Sequence, residues 1–113
     1  MNTKYLIIAP ILYPKLCKDY NVEKIDRYSI IWSRQTNELI VELTTPSKTI
    51  KNHKKDDNLE SKLNTFPLNK VVESIKKEEP AAETIFCTIN FSQKRIEVSY
   101  FDKDQKHLRT KTL

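Results

Sequence analysis

The sequence predicts an α+β protein, with an antiparallel sheet of about five strands (two hairpins plus an N-terminal strand) and one main amphipathic helix packed on one face. Two pairs of alternating apolar segments, each pair joined by a short polar loop, predict the hairpins. A segment with apolar residues at helical spacing lies between them. Because 113 residues can enclose one hydrophobic core without disulfides, we expect a single domain over residues 1–113.

The helix is predicted at about 67–78. Its apolar residues recur at i, i+3, i+4 and i+7, and they are Leu68, Val71, Val72 and Ile75. Pro67 suits the first helical turn, where a missing N–H is harmless, and Pro80 prevents continuation. The apolar stripe is expected to pack on the sheet.

The two hairpins are predicted to have four-residue loops, over 34–37 in the first and 91–94 in the second. In the first, the facing apolar pairs are Tyr28 with Leu43, Ile30 with Val41, and Trp32 with Leu39. In the second, they are Ile85 with Tyr100, Cys87 with Val98, and Ile89 with Ile96. Each register places all apolar partners on one face, as a buried face requires.

The N-terminal segment is harder to assign. Residues 4–9 form a short apolar run that ends at Pro10, and we predict a buried strand there. Pro14 is then placed to open a short helix over 15–20, and Asn21 is a suitable stop.

Two further segments lie outside these elements. Residues 46–58 are the most polar part of the chain, and we predict a long loop, which in small domains is often functional or disordered. Residues 107–113 alternate weakly and are expected to add an edge strand, where lysine and arginine discourage aggregation.

The composition excludes several classes of site. The chain has no glycine, which excludes the P-loop and the dinucleotide-binding fingerprint. Its two cysteines and two histidines do not cluster at metal-ligand spacing, so we expect no metal, cofactor or catalytic site. Cys87 is expected in the core. The N-terminal apolar run is short and broken by prolines, which favours a cytoplasmic protein without a membrane partner.

Two basic groups are candidates for nucleic-acid binding or RNA cleavage. The first is Lys51, His53, Lys54 and Lys55 in the polar loop, where a general base lies among lysines. The second is His107 with Arg109, which would share a face of an alternating strand. The net charge of +5 comes from interspersed residues, which favours a solvated mixed surface. The preferred interpretation of the first group is an exposed basic loop tip, offset by Asp56 and Asp57.

A candidate protein-binding patch lies on the other face of the hairpins. Strand alternation places Ile31, Ile40, Phe86 and Phe101 opposite the core face, where they form an exposed apolar patch unless the N-terminal segment covers them. Three other aromatic residues would serve as base-stacking platforms if they were exposed, but they belong to the core face: Tyr28, Trp32 and Tyr100.

A chain of this size, rich in lysine, isoleucine and asparagine and without glycine or catalytic motif, resembles the small immunity proteins of bacterial contact-dependent or polymorphic toxin systems. The resemblance implies a stoichiometric inhibitor whose partner is a toxin domain. With a charge of +5, it would dock away from a basic nuclease cleft or bind an acidic toxin. The alternatives are a nucleic-acid-binding or RNA-cleaving protein, and a phage or mobile-element inhibitor of a host protein.

Overall fold

The computed structural model describes residues 3–55 and 67–113. The elements along the chain are α1 Thr3–Tyr20, β1 Arg27–Ser33, β2 Glu38–Thr44, β3 Thr49–Lys55, α2 Leu68–Glu78, β4 Thr84–Asn90, β5 Arg95–Phe101 and β6 His107–Thr112. The strands form one antiparallel sheet in the order β3-β2-β1-β4-β5-β6. The α+β class is confirmed, but the described residues form six strands and two helices rather than about five strands and one main helix.

The core lies between the two helices and one face of the sheet. Both predicted hairpins form with the predicted registers, and β1 pairs with β4 to join them into one sheet. Three buried rows therefore cross the four central strands; they are Leu43, Tyr28, Ile89 and Ile96; Val41, Ile30, Cys87 and Val98; and Leu39, Trp32, Ile85 and Tyr100. The assignment of Tyr28, Trp32, Tyr100 and Cys87 to the core is confirmed.

The prediction of a strand over 4–9 is wrong, because this segment is the first half of α1. The helix buries Ile8, Ala9, Leu12 and Leu16 at helical spacing against the sheet. Pro10 and Pro14 are both exposed, four residues apart on the outward side of the helix. The main-chain carbonyls that lose a donor to these prolines are therefore on the side next to solvent, which makes the prolines tolerable.

The end of α1 was predicted correctly. Asn21 has a left-handed φ of 53°, and the N–H of Val22 donates to the carbonyl of Cys17 at 3.0 Å, as in a Schellman cap. No helix among residues 3–55 and 67–113 is long and apolar enough to cross a membrane.

The predicted loop over 46–58 is wrong in its central part, where Thr49–Lys55 pairs with β2 as β3. A tight turn brings the chain back: the Thr45 hydroxyl donates to the Lys48 carbonyl at 3.1 Å and accepts from the Lys48 N–H at the same distance. Because β3 is an edge strand, it lacks the apolar alternation that marks a half-buried strand. The end of the predicted loop, 56–58, lies outside the described residues.

The C-terminal edge strand is confirmed as β6, and the helix predicted at 67–78 is confirmed as α2. The end of α2 is held by Arg34 in the turn between β1 and β2. Its guanidinium donates to the carbonyl of Ala82 at 3.0 Å and to those of Lys76 and Glu79 at 3.3 Å each. It also lies 4.9 Å from the centroid of the Trp32 ring. One side chain therefore ties the first hairpin to the C-terminal end of α2, where carbonyls lack helical donors.

Replacing Val72 by aspartate should unfold the protein. Val72 is only 2% exposed on the buried side of α2, so the substitution would place an unpaired carboxylate in the core. We expect a loss of at least about 4 kcal/mol in the free energy of unfolding. Urea denaturation would measure it. The matched control is Ser74→Asp, two residues away on the exposed side of α2, which should change stability little; wild-type stability of Val72→Asp would contradict the packing of α2.

Replacing Arg34 by methionine keeps the aliphatic length and removes all three hydrogen bonds, one to Lys76 in the last turn of α2 and two to Glu79 and Ala82 just after it. We expect a loss of about 1.5–3 kcal/mol in the free energy of unfolding, because a charged donor is lost from several carbonyls. Arg34→Lys keeps the charge but lacks the planar guanidinium. Its free energy of unfolding should lie between those of wild type and the methionine variant. A loss below about 0.5 kcal/mol for the methionine variant, as at an ordinary surface position, would show that Arg34 does not hold α2.

The stability of the protein should depend on the Cys87 thiol at alkaline pH. Burial raises the pKa of Cys87 from 9.0 to about 12. The folded state therefore favours the protonated thiol, and this stabilisation is complete below pH 9 and is lost as the pH rises towards 12. Between pH 8 and 10, urea denaturation should show that wild type loses about 1.4 kcal/mol more than Cys87→Ala.

Burial also raises the pKa of Tyr28, so some alkaline destabilisation is expected in both proteins, and only their difference reports on the thiol. Parallel profiles for wild type and Cys87→Ala would contradict the burial of the thiol.

Candidate functional site

Among the described residues, one face of the sheet is left open, because α1 and α2 both pack on the other face. The strand registers place a central row of residues across five strands of this open face, and the row is Ile40, Ile31, Phe86, Ser99 and Thr110. Phe101 lies in the next row, paired with Thr84. We call Ile40, Ile31, Phe86 and Phe101 the apolar band.

The apolar band is continued by aromatic contacts towards β6. The Phe86 and Phe101 ring centroids are 5.3 Å apart, and the Phe101 and His107 centroids are 5.4 Å apart, both in tilted arrangements. All four members of the band are half-buried, and no helix within residues 3–55 and 67–113 covers them. Within these residues they form an apolar strip that remains partly exposed.

Polar and charged residues border the band. The hydroxyls of Ser29 and Thr88 lie 2.8 Å apart, and those of Ser99 and Thr110 lie 2.9 Å apart. Beyond them, Lys51 pairs with Glu42 at 3.6 Å and Arg95 pairs with Glu97 at 2.8 Å. An apolar centre within a polar rim of mixed charge is the anatomy of protein–protein interfaces.

The structure places the four predicted residues of the apolar band on one face, and the main-chain register of β3 sets His53 beside Ile40 and Lys51 beside Glu42 at the border of the band. The basic cluster does not form a loop tip as predicted, because Lys51, His53, Lys54 and Lys55 belong to the paired strand β3. Strand pairing spaces successive residues about 3.3 Å apart instead of folding them around one point. Lys51 is exposed; the side chains of the other three lie outside the described part of the structure.

The prediction that His107 and Arg109 share a face is also wrong. A register shift lies between Tyr100 and Phe101, so that His107 pairs with Phe101 and Arg109 with Tyr100. His107 therefore packs on the open face, where its Nε2 lies 2.7 Å from the Thr110 hydroxyl. Arg109 instead forms an ion pair with Glu79 beside α2. The pair that a nuclease would need is separated by the sheet.

A second apolar surface was missed by sequence reasoning. Leu6, Ile7 and Ile11 on the outward side of α1 are 53%, 60% and 49% exposed. On one side of them lies a cleft of about 400 Å³, whose walls include Tyr5, Tyr13, Ile25 and Phe91. The helical spacing of Ile8, Leu12 and Leu16 was the available signal, but the prolines masked it.

Candidate metal ligands do not cluster in the described residues. No group of three or more histidine, cysteine, aspartate or glutamate side chains there is suited to a metal ion. The Cys17 thiol, near the end of α1, donates to the main-chain carbonyl of Glu23 at 3.9 Å.

We compared the chain with protein-family models, with curated proteins and with solved structures. None of the three comparisons finds a match. The candidate site is thus defined by its own geometry, an apolar band on the open face of a six-stranded sheet.

Proposed function

We propose that this protein is a binding module that recognises a protein partner through the apolar band. The observation that carries the proposal is the alignment of Ile40, Ile31, Phe86 and Phe101 across four adjacent strands on the face that the helices leave open. Aromatic and large aliphatic side chains, partly desolvated and surrounded by polar groups, are typical of the energetic centre of an interface.

The charges beside the band favour a protein over a nucleic acid. Lys51 and Arg95 each have a carboxylate partner, Glu42 and Glu97, on the same face. A surface that follows a phosphate backbone presents cations that are free to displace counterions. Here, these two cations are already paired with protein carboxylates, and a partner with a mixed surface would match them.

Within this class we propose a stoichiometric inhibitor, and specifically an immunity protein that neutralises a toxin domain, in keeping with the character of the sequence. An inhibitor of this kind needs only a rigid surface, and the band lies on strands rather than on loops. Two free thiols favour a reducing, cytoplasmic setting. A phage or mobile-element inhibitor of a host protein would use the same surface and differ in its partner.

Nucleic-acid binding is the second candidate, because the rings of Phe86, Phe101 and His107 follow one another on the open face. Successive bases of a single strand can stack on such rings. For binding of this kind, the logarithm of the binding constant would fall linearly with the logarithm of the salt concentration.

The double variant Ile40→Thr, Phe101→Thr tests the proposal. Threonine keeps the strand propensity and removes apolar area from the band, so the fold should remain while the partner is lost. Tagged wild type and variant would be incubated with nuclease-treated lysate of the source organism, and the captured proteins compared by mass spectrometry. We expect one stoichiometric protein that survives moderate salt with wild type and is at least about tenfold depleted with the variant.

The matched control is Leu6→Gln, which removes an exposed apolar residue from α1 on the other side of the sheet. It should capture the partner as wild type does. Equal capture by the band variant and wild type would contradict the proposal, as would binding only to single-stranded RNA that is lost as salt rises. If the captured partner is encoded beside this gene as a secreted toxin, the immunity assignment holds; a host protein captured with phage genes nearby would replace it.

A further inference from the structure

The outward side of α1 is an apolar ridge made of Leu6, Ile7, Pro10, Ile11 and Pro14. Its three aliphatic side chains are about half exposed or more, whereas a helix in a two-layer fold usually turns polar residues outwards. On the side next to α2, the ridge slopes into a groove of about 260 Å³ lined in part by Ile8, Pro67 and Val71. The apolar surface therefore extends beyond one helix.

Lysines border this ridge. Lys4 and Lys18 are exposed near its two ends, Lys24 lies at the cleft on one side, and Lys70 lines the groove on the other. Along α1 itself, the charged residues are three lysines and one aspartate. An apolar ridge with a basic border matches a surface that is apolar inside and anionic at its boundary.

We propose that α1 binds the surface of an anionic lipid bilayer, with Leu6, Ile7 and Ile11 inserted among the acyl chains and the lysines at the headgroups. The helix lies on the membrane rather than crossing it. The short apolar run broken by prolines, which led us to expect no membrane partner, bears only on a segment that would span the bilayer.

The lysines argue against a second copy of the chain as the occupant of the ridge. Parallel packing of two α1 helices would set Lys4 against the same lysine of the other copy. Antiparallel packing centred on Ile11 would set Lys4 against Lys18. Like charges would face each other in both arrangements, whereas anionic headgroups attract them.

The ridge and the apolar band lie on opposite sides of the core, because α1 covers one face of the sheet and the band lies on the other. The proposal is therefore independent of the proposed function and can fail without it. A chain bound through α1 would leave the open sheet face directed away from the bilayer.

The test is co-sedimentation of the full chain with vesicles of phosphatidylcholine alone and of phosphatidylcholine with about 30 mol% phosphatidylglycerol. We expect binding to the anionic vesicles, weaker at high salt, and at least about tenfold weaker binding to the neutral ones. The variant Ile7→Gln, Ile11→Gln should lose at least about tenfold in partitioning, since two exposed apolar side chains are removed without changing the core. Lys4→Gln with Lys18→Gln should weaken the preference for anionic vesicles.

Leu108→Gln is the matched control, because Leu108 is 45% exposed and lies on β6 rather than on the ridge. It should bind vesicles as wild type does, and so should the band variant Ile40→Thr, Phe101→Thr. Absence of wild-type binding to the anionic vesicles overturns the proposal, as does binding that the α1 variant leaves unchanged. A wild-type dimer that becomes monomeric in the α1 variant, without vesicle binding, assigns the ridge to a second copy instead.

Discussion

The antiparallel pairing of β1 with β4 is the constraint on which the whole structure depends. A two-stranded hairpin is marginally stable in water, and neither hairpin of this chain can enclose its apolar face alone. Pairing Ile30 with Cys87 aligns the two apolar faces into one surface four strands wide, which both helices then cover. A slip of one residue at this junction would turn one hairpin's apolar residues outwards, so the core fixes the register.

The predictable elements of the fold were those whose own sequences show strand alternation or helical spacing of apolar residues. Alternation in β1, β2, β4 and β5 determined both hairpin registers, and helical spacing determined α2, because these elements each bury one face. The N-terminal helix was not predictable in this way. Pro10 and Pro14 are breakers by local rules, and only their shared outward position makes a helix acceptable. Tertiary contacts of Leu12 and Leu16 override the local signal.

The same distinction applies to the candidate sites. Alternation along each strand was enough to place Ile31 and Phe86 on one face of the sheet, because the loop length fixes which residues pair. Alternation failed for His107 and Arg109, because an irregularity in the β5–β6 pairing shifts the register between them. It also failed for β3, an edge strand whose identity comes from the neighbouring β2 rather than from its own composition. The exposed ridge of α1 could not be recognised before the helix itself was.

Four described residues have a positive φ, and they are Asn21, Asn37, Lys94 and Gln105. Glycine, which adopts this conformation without strain, does not occur in the chain. Lysine and glutamine in the left-handed region carry a steric penalty of about 1–2 kcal/mol each. The absence of glycine also has a stabilising effect, which acts through the unfolded chain. Every residue has a Cβ, so the disordered backbone samples a narrower set of conformations and loses less entropy when it becomes ordered. The absence of glycine therefore has two effects: it strains turns in the native state and restricts the conformations of the denatured state.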